Sequence, residues 1–73
     1  MTPEMTALKQ RIGFRVRHRR DEIHITQEEL AHQAKVTATY LSQIENGKRN
    51  PSLEALVRIS KALSIDLVDL IKA

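Results

Sequence analysis

Apolar residues recur three and four positions apart along most of the chain, which is the spacing of amphipathic helices. The first stripe predicts a helix over about residues 5–22, behind a loose N-terminal end, and it consists of Leu8, Ile12, Val16 and Ile23. Gly13 lies inside this helix, where glycine costs roughly 1 kcal/mol relative to alanine. We therefore expect another helix to approach the chain closely at Gly13.

Two short helices joined by a tight turn are predicted next. Thr26 and Glu29 have the spacing of a capping box, which predicts a helix over about residues 27–34. Thr37 is a second N-cap candidate and begins the third helix. The inner side of that helix consists of Leu41 and Ile44, and its polar, uncharged outer side consists of Ala38, Thr39, Ser42 and Gln43.

The last third of the chain predicts two more helices. Gly47 is placed to end the third helix, and Pro51 prevents it from continuing beyond the basic loop at residues 48–50. A helix over about residues 52–63 has an apolar side made of Leu53, Leu56, Val57, Ile59, Ala62 and Leu63. Asp66 then caps a short final helix that carries Leu67, Leu70 and Ile71. The predicted fold class is all-α, with about five short helices.

The length allows one domain, which we place over residues 1–73, with a two-helix motif at about 26–45 and the last two helices at about 52–73. A chain this short buries only about 60% of the surface its unfolded form exposes, so association with a second copy would help. Cysteine is absent, which excludes disulfides and thiolate chemistry. No apolar run approaches the roughly 20 residues of a membrane helix, and no signal peptide is visible, so we expect a cytoplasmic protein without membrane contact.

Positive charge is concentrated in two places, although the net charge is only +3. The basic cluster of the first helix comprises Arg11, Arg15, Arg17, Arg19 and Arg20, and Lys48 and Arg49 follow the third helix. This distribution favours a polyanionic partner. The spacing of His18, His24 and His32 matches no zinc pattern. No catalytic arrangement or phosphate-binding glycine loop is visible, so we expect no metal, cofactor, small-molecule ligand or enzymatic activity.

The outer side of the third helix has side chains suited to the major groove of DNA. Glutamine can bond an adenine edge at two points, threonine and serine can bond several bases, and an alanine methyl can pack on a thymine methyl. Capped helix pairs also occur in many small helical proteins, and such a face is also an ordinary solvated surface. The pattern alone therefore leaves both interpretations open.

The order of the residues adds a resemblance to a known family. Through ITQEELA at residues 25–31, YLSQIENG at 40–47 and NPSL at 50–53, the chain resembles the lambda repressor and Cro family of helix-turn-helix proteins, also called the XRE family. The resemblance runs from about Ile12 to Leu70. It implies a lambda repressor-like fold and a nucleoid-associated transcriptional regulator, a repressor or controller protein, that binds double-stranded operator DNA.

The resemblance also implies roles for individual residues. The base-reading residues are Ala38, Thr39, Ser42 and Gln43, among which Gln43 and Thr39 carry the most weight and Ala38 offers only a methyl group. The family pattern places Gln27 on the DNA backbone. The other candidates for phosphate contacts are Thr37, Tyr40, Asn46, Lys48, Arg49, Arg17, Arg19 and Arg20. Alternatively, the ring of Tyr40 packs across the motif and presents only its hydroxyl.

Arg20 continues the apolar stripe of the first helix, and an unpaired charge facing the core costs several kcal/mol. The resemblance implies an ion pair between Arg20 and Glu45; the alternative is that Arg20 extends to solvent. The family also has glycine where this chain has His24, Lys35 and Ser64. We expect these three residues at positive φ, each at a cost on the order of 1 kcal/mol.

A homodimer is expected because one short helix reads few base pairs, whereas two copies about 34 Å apart read successive major-groove faces of a palindrome. Apolar residues beyond the needs of the core are assigned to its interface, namely Val57, Ile65, Val68 and Ile71. Two alternatives remain: an antitoxin that binds a toxin protein and its own promoter, and a protein-interaction module that retains the fold. The lack of an obvious disordered tail argues against the first. The basic cluster and the uncharged face argue against the second.

Overall fold

Five α-helices form the regular structure of residues 2–73. A computed structural model describes residues 2–73. Its helices are α1 (Pro3–Glu22), α2 (Gln27–Ala34), α3 (Ala38–Glu45), α4 (Leu53–Ala62) and α5 (Leu67–Ile71). No strand occurs among residues 2–73, which confirms the predicted all-α class. In the part of the chain that the structure describes, no helix combines the length and the apolar character needed to cross a membrane.

The N-terminal helix begins earlier than the apolar stripe predicted. Thr2 is the N-cap, and its hydroxyl accepts a hydrogen bond of 3.2 Å from the backbone N–H of Met5. Pro3 stands in the first turn, where the N–H that proline lacks would have no helical partner anyway. The expectation of a loose end is therefore wrong for residues 3 and 4, and Met1 lies outside the described residues.

Every helix contributes side chains to one apolar core. α1 packs on α3 and α5, α2 packs on α3 and α4, and α4 packs on α5. The buried side chains of the core are Ile12, Val16, Leu30, Ala31, Ala34, Leu41, Ile44, Leu56, Ile59, Leu63 and Leu70. Burying a leucine or isoleucine contributes roughly 1.5–3 kcal/mol relative to leaving it exposed. Because Leu41 and Ile44 lie in this core, the opposite side of α3 faces away from the protein.

The predicted capping box at the start of α2 is confirmed. The Thr26 hydroxyl accepts from the backbone N–H of Glu29 at 3.0 Å, and the Glu29 carboxylate accepts from the backbone N–H of Thr26 at 2.8 Å. The hydrogen bond from the Thr26 backbone N–H to the carboxylate is the main reason why the pKa of the Glu29 carboxyl lies below its usual value. The stabilisation is therefore present above the usual pKa of glutamate and is lost as the pH falls through the lowered value.

Asp66 does not cap α5 as its sequence position suggested. It occupies the N-cap position with extended backbone, but its side chain makes no capping hydrogen bond. The backbone N–H of Asp69, which a cap side chain would bind, donates instead to the carbonyl oxygen of Asp66 at 2.9 Å. The short helix begins through this backbone turn.

Three turns hold non-glycine residues in the left-handed region, as expected. The φ angles are 59° at His24, 58° at Lys35 and 56° at Ser64. Lys35 ends α2, and its backbone N–H donates to the carbonyl oxygen of His32 at 3.2 Å. A side chain with a Cβ costs roughly 1–2 kcal/mol in this conformation.

Replacing Lys35 by glycine is expected to stabilise the fold. The change removes the left-handed strain, and this gain exceeds the roughly 0.4–1 kcal/mol that the greater freedom of glycine in the unfolded chain costs. Thermal unfolding should show a Tm raised by a few degrees, since about 1 kcal/mol corresponds to about 4–8 °C in a domain of this size. Lys35→Ala is the matched control, because it keeps the Cβ and should give no such increase. A lower Tm for Lys35→Gly would contradict the strain at this turn.

Candidate nucleic-acid interface

Side-chain hydrogen bonds cap both ends of α3. At its start the Thr37 hydroxyl accepts from the backbone N–H of Tyr40 at 3.0 Å. At its end the Asn46 side-chain amide donates to the carbonyl oxygen of Ser42 at 2.8 Å. The chain then reverses at Gly47, whose φ of +69° is readily adopted only by glycine. These contacts fix a two-turn helix that is too short to be stable alone.

The outer side of α3 carries hydrogen-bonding groups and no charge. Ala38 and Thr39 are exposed, and Ser42 and Gln43 are half-buried at the edge of the helix. Together their side chains carry two methyl groups, two hydroxyl groups and one amide. The structure thus places the four residues predicted as base-reading on one surface.

Arg49 connects this surface to the loop that follows α3. Its Nε donates to Oε1 of Gln43 at 3.1 Å, and its guanidinium carbon lies 5.0 Å from the centroid of the Tyr40 ring. The Tyr40 ring packs against the core, and its hydroxyl accepts from the backbone N–H of Ser52 at 3.1 Å. Packing of the Tyr40 ring was one of the two expectations for this residue. The sequence did not indicate the contacts of Arg49 with Tyr40 and Gln43, because they depend on the path of the loop after α3.

A buried ion pair ties α1 to the end of α3. Nε and Nη2 of Arg20 donate to the two carboxylate oxygens of Glu45 at 2.9 and 3.1 Å, and Nη1 donates to the carbonyl oxygen of Ile25 at 3.1 Å. The Glu45 and Arg20 side chains are only 4% and 14% exposed. The hydrogen bonding of Arg20 to the Glu45 carboxylate is the main reason why the pKa of Arg20 lies above its usual value. Gln27, at the start of α2, donates to the same carboxylate at 3.2 Å.

The ion pair lies beside the close helix contact expected at Gly13. A Cβ built on Gly13 would lie 2.8 Å from the carbonyl oxygen of Glu45 and nearer still to that of Ile44. Real Cβ atoms do not approach backbone oxygens so closely. α1 therefore crosses the last turn of α3 with no space for a side chain, which confirms the close approach.

The basic cluster of α1 is divided between two sides of the helix. Arg19 was predicted to contact phosphates, but its Nε donates to the carbonyl oxygen of Leu63 at 2.9 Å, and Nη1 lies 3.6 Å from the Glu22 carboxylate. Adjacent helical residues point about 100° apart, so Arg19 lies toward the end of α4 while Arg20 lies toward α3. Arg19 thus contacts the end of α4, and its phosphate contact stays a prediction.

Arg11 and Arg15 also hold the carboxyl end of a helix. Nη2 of Arg11 donates to the carbonyl oxygen of Ile71 at 3.3 Å, and Nη1 of Arg15 donates to that of Leu70 at 3.4 Å. Cations at a helix C-terminus stabilise its unpaired carbonyl groups. By contrast, Arg17 is exposed on α1, and Lys48 and Arg49 are exposed after α3.

The residues assigned to a dimer interface differ in exposure. Val68 is 59% exposed, whereas Val57, Ile65 and Ile71 are half-buried, the last two against the core. Leu53 was predicted on the apolar side of α4 but is 76% exposed, because it is the first residue of that helix. Phe14 is 69% exposed and stacks on His18 at 5.9 Å between ring centroids.

Solved structures show the same fold. The restriction-modification controller protein C.AhdI from Aeromonas hydrophila superposes with a TM-score of 0.85 and 30% identity, covering 90% of this chain and 96% of that one. The P22 c2 repressor protein, solved in complex with a synthetic operator, gives a TM-score of 0.81 and 35% identity, covering 86% of this chain and 96% of that one. The predicted lambda repressor-like architecture is confirmed.

Sequence comparisons agree with the structural ones. A helix-turn-helix family model matches residues 16–70. The control protein C.MunI of Mycoplasma sp is 42% identical over 67 residues, which cover 90% of both proteins. Two uncharacterised HTH-type transcriptional regulators of Mycobacterium tuberculosis are 41% identical over 53 residues, but the match covers only 38% of their length. The chain belongs to the lambda repressor-like, or XRE, family of helix-turn-helix proteins.

Proposed function

We propose that the chain is a sequence-specific, double-stranded-DNA-binding transcriptional regulator that places α3 in the major groove. The observation that carries the proposal is the outer side of α3, where Thr39, Ser42 and Gln43 offer hydrogen bonds without charge while Leu41 and Ile44 anchor the helix in the core. Neutral hydrogen-bonding side chains discriminate between base edges. The similarity to controller and repressor proteins supports this role.

Backbone contacts are assigned to groups that border α3. The exposed cations in this set are Arg17, Lys48 and Arg49. The polar groups in this set are Gln27, Thr37, the Tyr40 hydroxyl and the backbone of Asn46. Arg20 retains two N–H donors after its bonds to Glu45 and Ile25, so it also belongs to this set. Such contacts position the protein but do not identify the sequence.

We assign homodimerisation to the apolar surface that α5 shares with its neighbours, including Val57, Ile65, Val68 and Ile71. Val68 and Leu53 are largely exposed. Leu53 borders an apolar groove of about 210 Å³ that is also lined by Leu67 and Ile71. A second copy of the chain is the partner that would cover this surface while bringing a second α3 to the DNA. The protein then acts in the cytoplasm at the nucleoid, as a repressor or controller.

Selection from a randomised duplex library, followed by titration of the selected duplex at several salt concentrations, tests both proposals. We expect an inverted repeat with half-sites about 10 base pairs apart, and a log–log salt slope near −0.9 per phosphate contact. A single half-site would contradict the dimer. Equal affinity for all duplexes would contradict sequence-specific regulation and would favour a protein-interaction module.

Gln43→Ala and Lys48→Ala are expected to impair binding in different ways. Loss of the Gln43 amide should reduce discrimination at one base pair of each half-site by about 5- to 150-fold, corresponding to about 1–3 kcal/mol. Lys48→Ala should weaken binding to all sequences alike and make the salt slope shallower by about one per protomer. Measured Kd values for the selected duplex and its single-base variants give both quantities. Unchanged discrimination in Gln43→Ala would exclude this residue from base reading.

A further inference from the structure

We propose that Arg49 is a positioning residue for base reading, which orients the Gln43 side chain so that its NH₂ group is offered to the DNA. The inference rests on the proposed function and deepens it, because it predicts which base edges Gln43 can bind. It assigns Arg49 a role in specificity in addition to attraction of phosphates.

A series of contacts from the backbone of Ser52 through Tyr40 and Arg49 holds the Gln43 side chain in place. The backbone N–H of Ser52 donates to the Tyr40 hydroxyl at 3.1 Å, and the Tyr40 ring packs against the core. The guanidinium of Arg49 lies over that ring, with its central carbon 5.0 Å from the centroid. From this position Nε of Arg49 donates to Oε1 of Gln43 at 3.1 Å. A flexible glutamine is thus ordered before it meets DNA, which reduces the entropy that binding must remove.

The chemistry of arginine fixes which end of the amide faces Arg49. A guanidinium has five N–H donors and no acceptor, so only the carbonyl oxygen of Gln43 can lie against it. The NH₂ group therefore points away from Arg49 and remains free to donate. Because the bond from Arg49 is charge-assisted, it also polarises the amide and strengthens the NH₂ group as a donor.

A side-chain NH₂ group held in one orientation can bond only to bases that present a hydrogen-bond acceptor. In the major groove guanine presents N7 and O6, adenine presents N7, and thymine presents O4, all of which accept a hydrogen bond. Cytosine presents only its amino group, which is a donor. We therefore expect the base beneath Gln43 to be one that offers an acceptor, and cytosine on that strand to be disfavoured.

Arg49→Lys separates this role from simple charge. Lysine keeps the positive charge for phosphates but lacks the planar group that stacks on Tyr40 and the directional Nε. The variant should keep the salt slope of the wild-type protein while the preference at the Gln43 base pair falls by about tenfold. Lys48→Ala is the matched control in the same loop, because no side-chain hydrogen bond joins Lys48 to Gln43 among residues 2–73. The bond from the Lys48 backbone N–H to the Gln43 carbonyl oxygen, at 2.9 Å, is kept in the alanine variant.

Library selection and Kd measurement on single-base variants should be performed with wild type, Arg49→Lys, Gln43→Ala, the double variant and Lys48→Ala. If Arg49 acts through Gln43, the double variant has the same base preference as Gln43→Ala alone. Retention of the full preference by Arg49→Lys, or an equal loss on every duplex, would overturn the positioning role. If the wild-type protein selects no sequence and Gln43→Ala changes nothing, the proposed function fails together with this inference.

Discussion

Replacement of Glu45 by alanine is expected to lower the free energy of unfolding by about 3–5 kcal/mol, because removing one partner of a buried ion pair leaves the other charge without compensation. Glu45 is only 4% exposed and accepts hydrogen bonds from both Arg20 and Gln27. Without it, Arg20 keeps the Ile25 carbonyl oxygen and the Asp21 carboxylate, which is 3.8 Å away. Because the Asp21 carboxylate partly compensates the Arg20 charge, we expect a loss of stability toward the lower end of the range. This is a large loss, because the total free energy of unfolding of a small domain is only about 5–15 kcal/mol.

Urea denaturation at neutral pH measures this loss. Glu54→Ala is the matched control, since Glu54 also pairs with an arginine, Arg58, but its side chain is 76% exposed. Exposed pairs contribute up to about 1 kcal/mol, so the control should change stability little. A double-mutant cycle with Arg20→Ala should show strong non-additivity. Equal small losses in Glu45→Ala and Glu54→Ala would mean that the ion pair does not hold α1 against α3.

Replacement of Gly13 by alanine is expected to have the second large effect. On helix propensity alone the change would stabilise α1 by roughly 1 kcal/mol. The new Cβ, however, meets the backbone carbonyl oxygens of Ile44 and Glu45, which cannot rotate away as a side chain can. α1 and α3 must therefore move apart. Overpacking of this kind typically costs roughly 1–3 kcal/mol of stability. Because backbone atoms must move, we place the cost at the upper end of this range, which after the propensity gain leaves a net loss of about 2 kcal/mol.

The sign of this change decides between the two effects. Ala7→Gly, at an exposed position of the same helix, measures the propensity term in isolation and should destabilise by roughly 1 kcal/mol. If Gly13→Ala stabilised the protein by a similar amount, the close contact between α1 and α3 would be absent. Because α3 would shift with α1, the destabilising result should also be accompanied by weaker DNA binding.

Features set by neighbouring residues could be predicted from the sequence. The capping box of Thr26 and Glu29 needs only a spacing of three residues, and the left-handed turn at Lys35 follows from the family pattern of glycines. The apolar stripes located the core because helical periodicity is a local property. The uncharged outer side of α3 followed for the same reason, since Leu41 and Ile44 point inward.

Features that depend on how helices pack could not be predicted in this way. Arg19 and Arg20 are adjacent in sequence, yet one contacts the end of α4 and the other contacts α3. The contact of Arg49 with Gln43 depends on the path of a loop, which has no periodicity to read. Leu53 continues the apolar stripe of α4 but is exposed, because it is the first residue of that helix, whereas Ala55 and Leu56 in the same turn are buried.

The contact between the outer side of α3 and the major groove is tested most directly by NMR of the labelled protein bound to its selected duplex. Nuclear Overhauser effects should connect the methyl groups of Ala38 and Thr39 to thymine methyl or cytosine H5 protons, which lie in the major groove. Contacts of this kind would place α3 in the major groove. If these methyl groups showed no contact to DNA while another surface of the protein did, the assignment of α3 as the reading helix would be contradicted.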